Sequence, residues 1–133
     1  MEFEISTTDL PSVVEVQALF SQTSWASERK NHEVGKLLNS MTEFVTIRKN
    51  TKLIGFGRAI SDGVYRAPLE DIVVDELYRK QGLGGLIIEN LLTQLTEIEE
   101  VYLNTGADLE GFYTKYGFRR SDAFYMKKDQ SAG

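Results

Sequence analysis

The sequence predicts a mixed α/β fold (α+β in layering), with a central sheet of about six to seven strands flanked by about four helices. Three observations lead there. Segments with two-residue alternation and segments with helical periodicity follow one another along the chain. A strand, a glycine-rich turn, a helix and a second strand stand in direct succession between Tyr65 and Leu103, the order that favours a parallel crossover. The length of 133 residues and the 41% apolar content suit one packed domain, residues 1–133.

Composition excludes several function classes. Fifteen Lys and Arg stand against 20 Asp and Glu, for a net charge of -5, which argues against a general nucleic-acid surface. The chain has no cysteine, so disulfides, thiolate metal sites and a cysteine nucleophile are ruled out. His32 is the single histidine and lies in a polar stretch, so no metal site is expected and it reads as a surface residue. There is no apolar run of about 18 residues, and Met1–Leu10 carries acids rather than a basic start and an apolar core. No membrane association and a cytoplasmic location are the expectations.

Along the chain, Phe3–Ser6 alternates as a short strand. Thr8 or Asp9 is expected to cap a first helix, with Pro11 in its first turn and Leu10, Val13, Val16 and Phe20 on one face. Ser21–Ser27 interrupts that pattern and carries the only tryptophan, Trp25. Val34, Leu37, Leu38 and Met41 then mark a second helix. Glu43–Lys49 and Leu53–Ile60 read as strands joined by a turn at Asn50-Thr51. Gly55 and Gly57 weaken the second of these, or mark a bulge or a close ligand approach. After the turn signal Ser61-Asp62-Gly63, Tyr65–Val74 is a longer strand. A third helix points Leu83, Ile87, Ile88, Leu91, Leu92 and Leu95 inward, and Glu100–Leu103 is the strand parallel to the preceding one. A fourth helix over Asp108–Tyr116 aligns Leu109, Phe112, Tyr113 and Tyr116, and Gly117 stops it. Arg119–Lys128 is expected to return as a hairpin, and Asp129–Gly133 to fray.

The stretch Val73–Leu92 carries the clearest chemical signal. A glycine-rich turn opening a helix presents backbone N–H groups and the positive end of the helix dipole, which suits a phosphate or pyrophosphate. Arg79 and Lys80 add charge, and Gly82, Gly84 and Gly85 let backbone approach a ligand. A flexible turn with packing glycines is the alternative. The run Arg79–Gly84 lacks the Gly-Lys-Ser/Thr end of a P-loop and is not Gly-x-Gly-x-x-Gly. Nucleoside triphosphates and nicotinamide cofactors are therefore disfavoured.

This loop, preceded by Val73-Val74-Asp75, has a companion one short strand later in Gly111-Phe112-Tyr113-Thr114-Lys115-Tyr116-Gly117-Phe118. Together, over Leu69–Phe118, they resemble the Gcn5-related N-acetyltransferase (GNAT) superfamily. The short chain and the run Asp71-Ile72-Val73-Val74-Asp75 look like its small cyanobacterial and plastid branch, related to plant serotonin N-acetyltransferases.

The resemblance implies direct transfer of an acetyl group from acetyl-coenzyme A, as co-substrate, to a primary amine. It implies that Arg79, Lys80, Gln81, Gly82, Leu83, Gly84 and Gly85 hold the pyrophosphate. Backbone N–H groups near Ile72, Val73 and Val74 would meet the thioester carbonyl and pantetheine arm, where the family splays its sheet. Tyr113 would contact the cofactor and act as general acid toward the leaving thiolate. Spacing alone reads it as one more packed aromatic beside Phe112 and Tyr116. Glu70 is the candidate base and Asp71 competes; in a regular strand they face opposite ways unless a bulge intervenes. A structural salt-bridging pair and a water chain without a dedicated base are the other readings. Asn104 either reaches the pantetheine arm or caps the next helix with Thr105. Trp25 and Tyr65 are candidates for the acceptor pocket, while Phe20 is favoured as core. The acidic balance points to a small cationic amine such as an arylalkylamine or polyamine. A non-catalytic acyl-coenzyme A sensor and a protein-interaction domain are the competing functions, and the chain is expected to be a monomer or homodimer.

Overall fold

Alternating apolar residues build a five-stranded sheet in the order β1-β2-β3-β4-β5 in the computed structural model, which describes residues 2–130. The strands β1 (Glu4–Ser6), β2 (Glu43–Lys49), β3 (Lys52–Ala59) and β4 (Arg66–Val74) are antiparallel neighbours. The last, β5 (Glu100–Tyr102), joins β4 in parallel after the crossover through a helix, as the element order requires. The helices are α1 (Val13–Phe20), α2 (Asn31–Ser40), α3 (Leu83–Gln94) and α4 (Glu110–Thr114). Asn50 and Thr51 take φ of 49° and 69°, the positive values that let a two-residue turn match the twist of β2 and β3.

The first helix starts later than its sequence suggests. Ser12, not Thr8 or Asp9, is the N-cap, and Pro11 lies outside the helix. Glu15 N–H donates to Ser12 Oγ at 3.2 Å while Ser12 N–H donates to the Glu15 carboxylate at 3.0 Å, a capping box that Thr8 and Asp9 cannot form. Arg48 of β2 grips the same carboxylate through both terminal nitrogens, at 2.5 and 3.0 Å, and holds its pKa down at about 2. This pair ties α1 to the sheet.

The sheet is covered on both faces. Val45, Ile47, Ile54, Ala67 and Leu69 pack against Leu83, Ile87, Ile88 and Leu91 of α3. On the other face, Phe56 and Val73 pack with Val16, Leu19 and Phe20 of α1 and Val34 and Leu38 of α2. The glycines of β3 serve the first of these contacts. A Cβ on Gly57 would lie 2.5 Å from Ile87 Cγ2, and one on Gly55 would lie 3.3 Å from Ile47 Cβ. Close helix–sheet packing, not ligand approach, explains both, and Gly57 also faces a bulge described below.

Five strands form rather than six to seven, because Arg119–Lys128 does not return as a hairpin. Neither Ser121 nor Asp122 takes a positive φ, and residues 119–130 run as irregular, exposed chain. The fraying expected for the last residues lies, for 131–133, outside the described residues. Among the described residues no helix is long and apolar enough to cross a membrane.

Candidate active site

The site is built where β4 outlasts its neighbour. Glu100–Tyr102 of β5 pairs only with Arg66–Pro68, so β4 runs on through Val74 with no partner along that edge. After Tyr102 the chain leaves the sheet through Leu103–Gly106, makes a 3-10 turn at Ala107–Leu109 and enters α4. The two chains diverge around a cleft of about 350 Å³. Leu69–Ile72 form one wall, Leu103–Gly106 with Leu109 and Tyr113 the other, and Trp25 reaches in from the loop after α1.

A bulge decides which side chains face it. Phe56 pairs with Val73 but Arg58 pairs with Glu70, so Gly57 alone stands opposite Asp71 and Ile72. Asp71 absorbs the extra residue at φ 56°, a left-handed value uncommon outside glycine. The pleat changes phase there. Ala67 and Leu69 face α3 before the bulge; Val73 faces α1 and α2 after it. Adjacent residues Glu70 and Asp71 consequently both line the cleft.

Their surroundings separate the two carboxylates. Asp71 is buried, with Oδ2 accepting from Arg58 Nε at 2.7 Å and Oδ1 paired with Arg29 Nη1 at 3.0 Å. Arg29 in turn lies over the rings of Phe20 and Trp25, 4.8 and 5.7 Å from their centroids. Asp71 therefore fastens the α1–α2 loop to the bulge through Arg29 and braces the bulge against β3 through Arg58, with one oxygen committed to each. Glu70 has no hydrogen-bond or ion-pair partner among the described residues. Burial, and then the Asp71 charge, push its carboxyl above the usual glutamate range, with Arg58 and Arg29 opposing. Arg29 and Arg58 escaped the sequence reading because neither belongs to a motif; the one signal is the cross-strand register that sets Arg58 beside Glu70.

Tyr113 stands on the facing wall. Its ring meets Phe112 and Phe118 edge-on at 4.9 and 5.9 Å between centroids, and burial pushes its phenol above the ordinary value of 10. The hydroxyl thus keeps its proton at neutral pH. The motif's end glycine fixes this placement: Gly117 takes φ 92°, which lets Phe118 N–H reach back to Tyr113 O at 3.3 Å.

The glycine-rich turn opens α3 beside α4. Gly82 adopts φ 82° at the N-cap and offers no side chain to cap the helix, so the first-turn amides at Leu83–Gly85 lack that partner. Lys80 and Gln81 are exposed beside it, and Arg79 braces the end of β4 by donating from Nε to Val74 O at 3.2 Å. Gly84 and Gly85 have a packing reason as well. A Cβ on Gly84 would press on Phe112 at 3.3 Å, and one on Gly85 would collide with the Tyr116 hydroxyl. These two glycines seat α4 on α3, which holds Tyr113 at the cleft. Gly82 alone of the three is open, with nothing within 4 Å.

Other candidates divide. Asn104 lines the cleft, and Gly106 rather than Asn104 occupies the cap of the following turn. Ile72 lines the cleft, whereas the Val73 side chain is buried on the opposite face. Tyr65 is not brought to the cleft: it precedes β4 at the paired end, about 13 Å of extended chain from Leu69. Phe20 is core and His32 is exposed. Among the described residues no group of three or more His, Asp or Glu could hold a metal.

A fold of this order, split between β4 and β5 above a glycine-opened helix, is the arrangement that the resemblance implies, and the comparisons give the class as acetyltransferase. A model of the acetyltransferase (GNAT) domain matches residues 11–129, and the chain belongs to that family. It is 32% identical over 112 residues to "Uncharacterized N-acetyltransferase ycf52" of Pyropia yezoensis, covering 80% of this chain and 64% of that protein. It is also 32% identical over 85 residues to "Serotonin N-acetyltransferase 2, chloroplastic" of Oryza sativa subsp. japonica, covering 58% and 42%. These relatives fit the plastid-related branch that the sequence resembles. The chain spans between 42% and 64% of their lengths. Among solved structures, a protein of meticillin-resistant Staphylococcus aureus described as a probable acetyltransferase superposes with TM-score 0.82 at 26% identity, covering 96% of this chain and all of that one.

Proposed function

We propose that this chain transfers an acetyl group directly from acetyl-coenzyme A to a small cationic primary amine. The observation that carries the reading is the placement of Glu70 and Tyr113 on facing walls of one cleft, with α4 seated on the first turn of α3. The residues suit a pyrophosphate with a long arm. Uncapped amides at Leu83–Gly85, exposed Lys80 and the open Gly82 would receive the phosphates, and the unpaired edge of β4 near Ile72 would receive the arm. When bound, acetyl-coenzyme A supplies an activated acyl group as its thioester.

The chain's own groups then have distinct tasks. Glu70 takes a proton from the ammonium, directly or through water, and its raised pKa suits that task. Backbone N–H groups of the unpaired β4 edge stabilise charge developing on the acyl oxygen. Tyr113 holds a proton at Oη for the departing sulfur. Asp71 keeps the bulge and the α1–α2 loop in place rather than serving as a base, since Arg29 and Arg58 occupy its oxygens. That pairing also leaves Glu70 as the cleft carboxylate without an ion-pair partner of its own among the described residues. With the Trp25 ring it favours a cationic acceptor.

Calorimetry with acetyl-coenzyme A, followed by thiol release across a panel of amines, tests the reading. Binding without thiol release on any amine would replace it with an acyl-coenzyme A sensor, and turnover confined to neutral or anionic acceptors would overturn the acceptor class. Gly82→Glu should abolish acetyl-coenzyme A binding, because it adds bulk, negative charge and a side chain at φ 82°. Wild-type affinity in that variant would refute the loop assignment.

A further inference from the structure

Trp25 borders the cleft opposite the Tyr113 wall, and at 54% exposure its ring is half in water. It stands on Ser21–Lys30, a run of turns with no strand or α-helix to fix it. Ala26 buries the adjoining backbone in the core that holds Val16, Phe20 and Val34. Among the described residues no hydrogen bond fixes the indole. Its ring partners are Phe20, at 6.3 Å between centroids and tilted by 55°, and Arg29, whose guanidinium carbon lies 5.7 Å from the ring centroid.

Phe20 is locked in the core, so the placement of Trp25 turns on Arg29. Arg29 is pinned at both ends. Its backbone N–H donates to Ala26 O at 3.2 Å and its carbonyl accepts from Gln17 Nε2 at 2.7 Å. Its Nη1 is buried against Asp71 Oδ1 at 3.0 Å without the geometry of a hydrogen bond, so the ion pair and the stacking on Phe20 place the guanidinium. That group is flat and spans two rings, which the compact ammonium of a lysine does not. Paired with Asp71, it backs the Trp25 ring without repelling an ammonium that arrives in front.

Resting on the acetyl-transfer reading, we propose that Arg29 is a positioning residue for the acceptor. It holds the Trp25 ring at a set span from Glu70, so that the cleft selects primary amines long enough to reach from one to the other. Asp71 anchors Arg29 and is the chain neighbour of Glu70, so a single bulge sets both the carboxylate and the ring. An amine held at Glu70 by its ammonium covers the ring with its carbon chain, and apolar area leaves water only when that chain is long enough. A short amine meets Glu70 and leaves the ring wet. The gain from length falls in KM, because the ring is covered in the ground state as much as in the transition state.

Trp25 is the only tryptophan, so intrinsic emission of the full chain reports its ring directly. Straight-chain primary amines from ethylamine to hexylamine are the probes, with acetyl-coenzyme A saturating. In the wild type, kcat/KM should rise about fourfold for each methylene that gains the ring, and hexylamine but not ethylamine should change the emission. Arg29→Lys keeps a charge for Asp71 and should unfold at the wild-type urea midpoint, yet red-shift the emission and flatten the length series. Its KM for hexylamine should rise about tenfold with kcat within about threefold. Trp25→Ala should flatten the series equally, and adding Arg29→Lys to it should change nothing further. A wild-type length series in Arg29→Lys or in Trp25→Ala, or an undiminished Arg29→Lys penalty in the Trp25→Ala chain, would overturn the proposal and leave the proposed function standing. A wild type that releases no thiol on any amine would end both.

Discussion

Between Arg66 and Pro68, β4 has a neighbour on each side: β5 pairs along one edge, and Ile60 N–H donates to Pro68 O along the other at 3.0 Å. Between Leu69 and Val74 it keeps β3 alone, and the missing ladder is replaced by a bulge, a buried ion-paired aspartate and an arginine folded over its carbonyl end. In the paired half the backbone suffices, and the charged side chains stay at the surface. In the open half, exposed backbone is available to a ligand, so side chains must hold the strand's shape. A site made by withholding a strand needs its own reinforcement, and here that falls to Asp71.

The largest effect should come from removing that reinforcement. Asp71→Ala leaves Arg29 and Arg58 unpaired beside a buried bulge and should cost about 3 kcal/mol of stability, read from urea unfolding. A loss below about 0.5 kcal/mol would mean that the open half needs no ionic brace. Next, Tyr113→Phe should lower turnover on the order of 100-fold while acetyl-coenzyme A affinity stays within about twofold. Unchanged turnover with chemistry rate-limiting would remove the phenol from the mechanism.

Glu70→Gln should lower kcat/KM about tenfold and change its pH dependence. The Glu70 carboxyl is raised, so activity requiring its ionised form increases as pH climbs through a value above the usual glutamate range. That limb should be missing from the glutamine variant, leaving only the titration of the amine. The same shift opposes stability at neutral pH, since the folded state holds the proton more tightly than the unfolded chain; acidification through that window relieves the cost. A wild-type pH limb in the variant would assign the base elsewhere. Smallest of all, Arg66→Ala breaks an exposed pair in the laddered half and should leave the unfolding midpoint within error. A clear loss there would erase the contrast between the halves.

Much of the architecture was legible before any coordinates. Period two at Glu43–Lys49 matched β2 residue for residue, and the inward residues expected of α3 are buried apart from the half-buried Leu92, because a face packed over several turns imposes its own pattern. The helix start at Ser12 was missed because three polar residues compete there, and only the return bond from Glu15 decides among them. The two motifs placed the cleft's elements, since the glycine-rich turn and Gly117 are local backbone requirements. Tyr65 was misplaced because neighbours along a strand separate by more than 3 Å per residue, so a few positions carry a side chain to the other end of a sheet.

The sequence by itself determined what is local: the order of strands and helices, the turns at Asn50-Thr51 and Gly117, the uncapped start of α3 and the aromatic run that includes Tyr113. Tertiary structure alone decided the relation of Glu70 to Asp71. Strand alternation sends them apart; the bulge opposite Gly57 turns both to the cleft, and two arginines from separate elements pair with Asp71 and leave Glu70 unpaired among the described residues. It also decided that Gly84 and Gly85 make room for α4. Backbone preference acts over a few residues and can be read along the chain, whereas ion pairing and close packing depend on groups that only folding brings together.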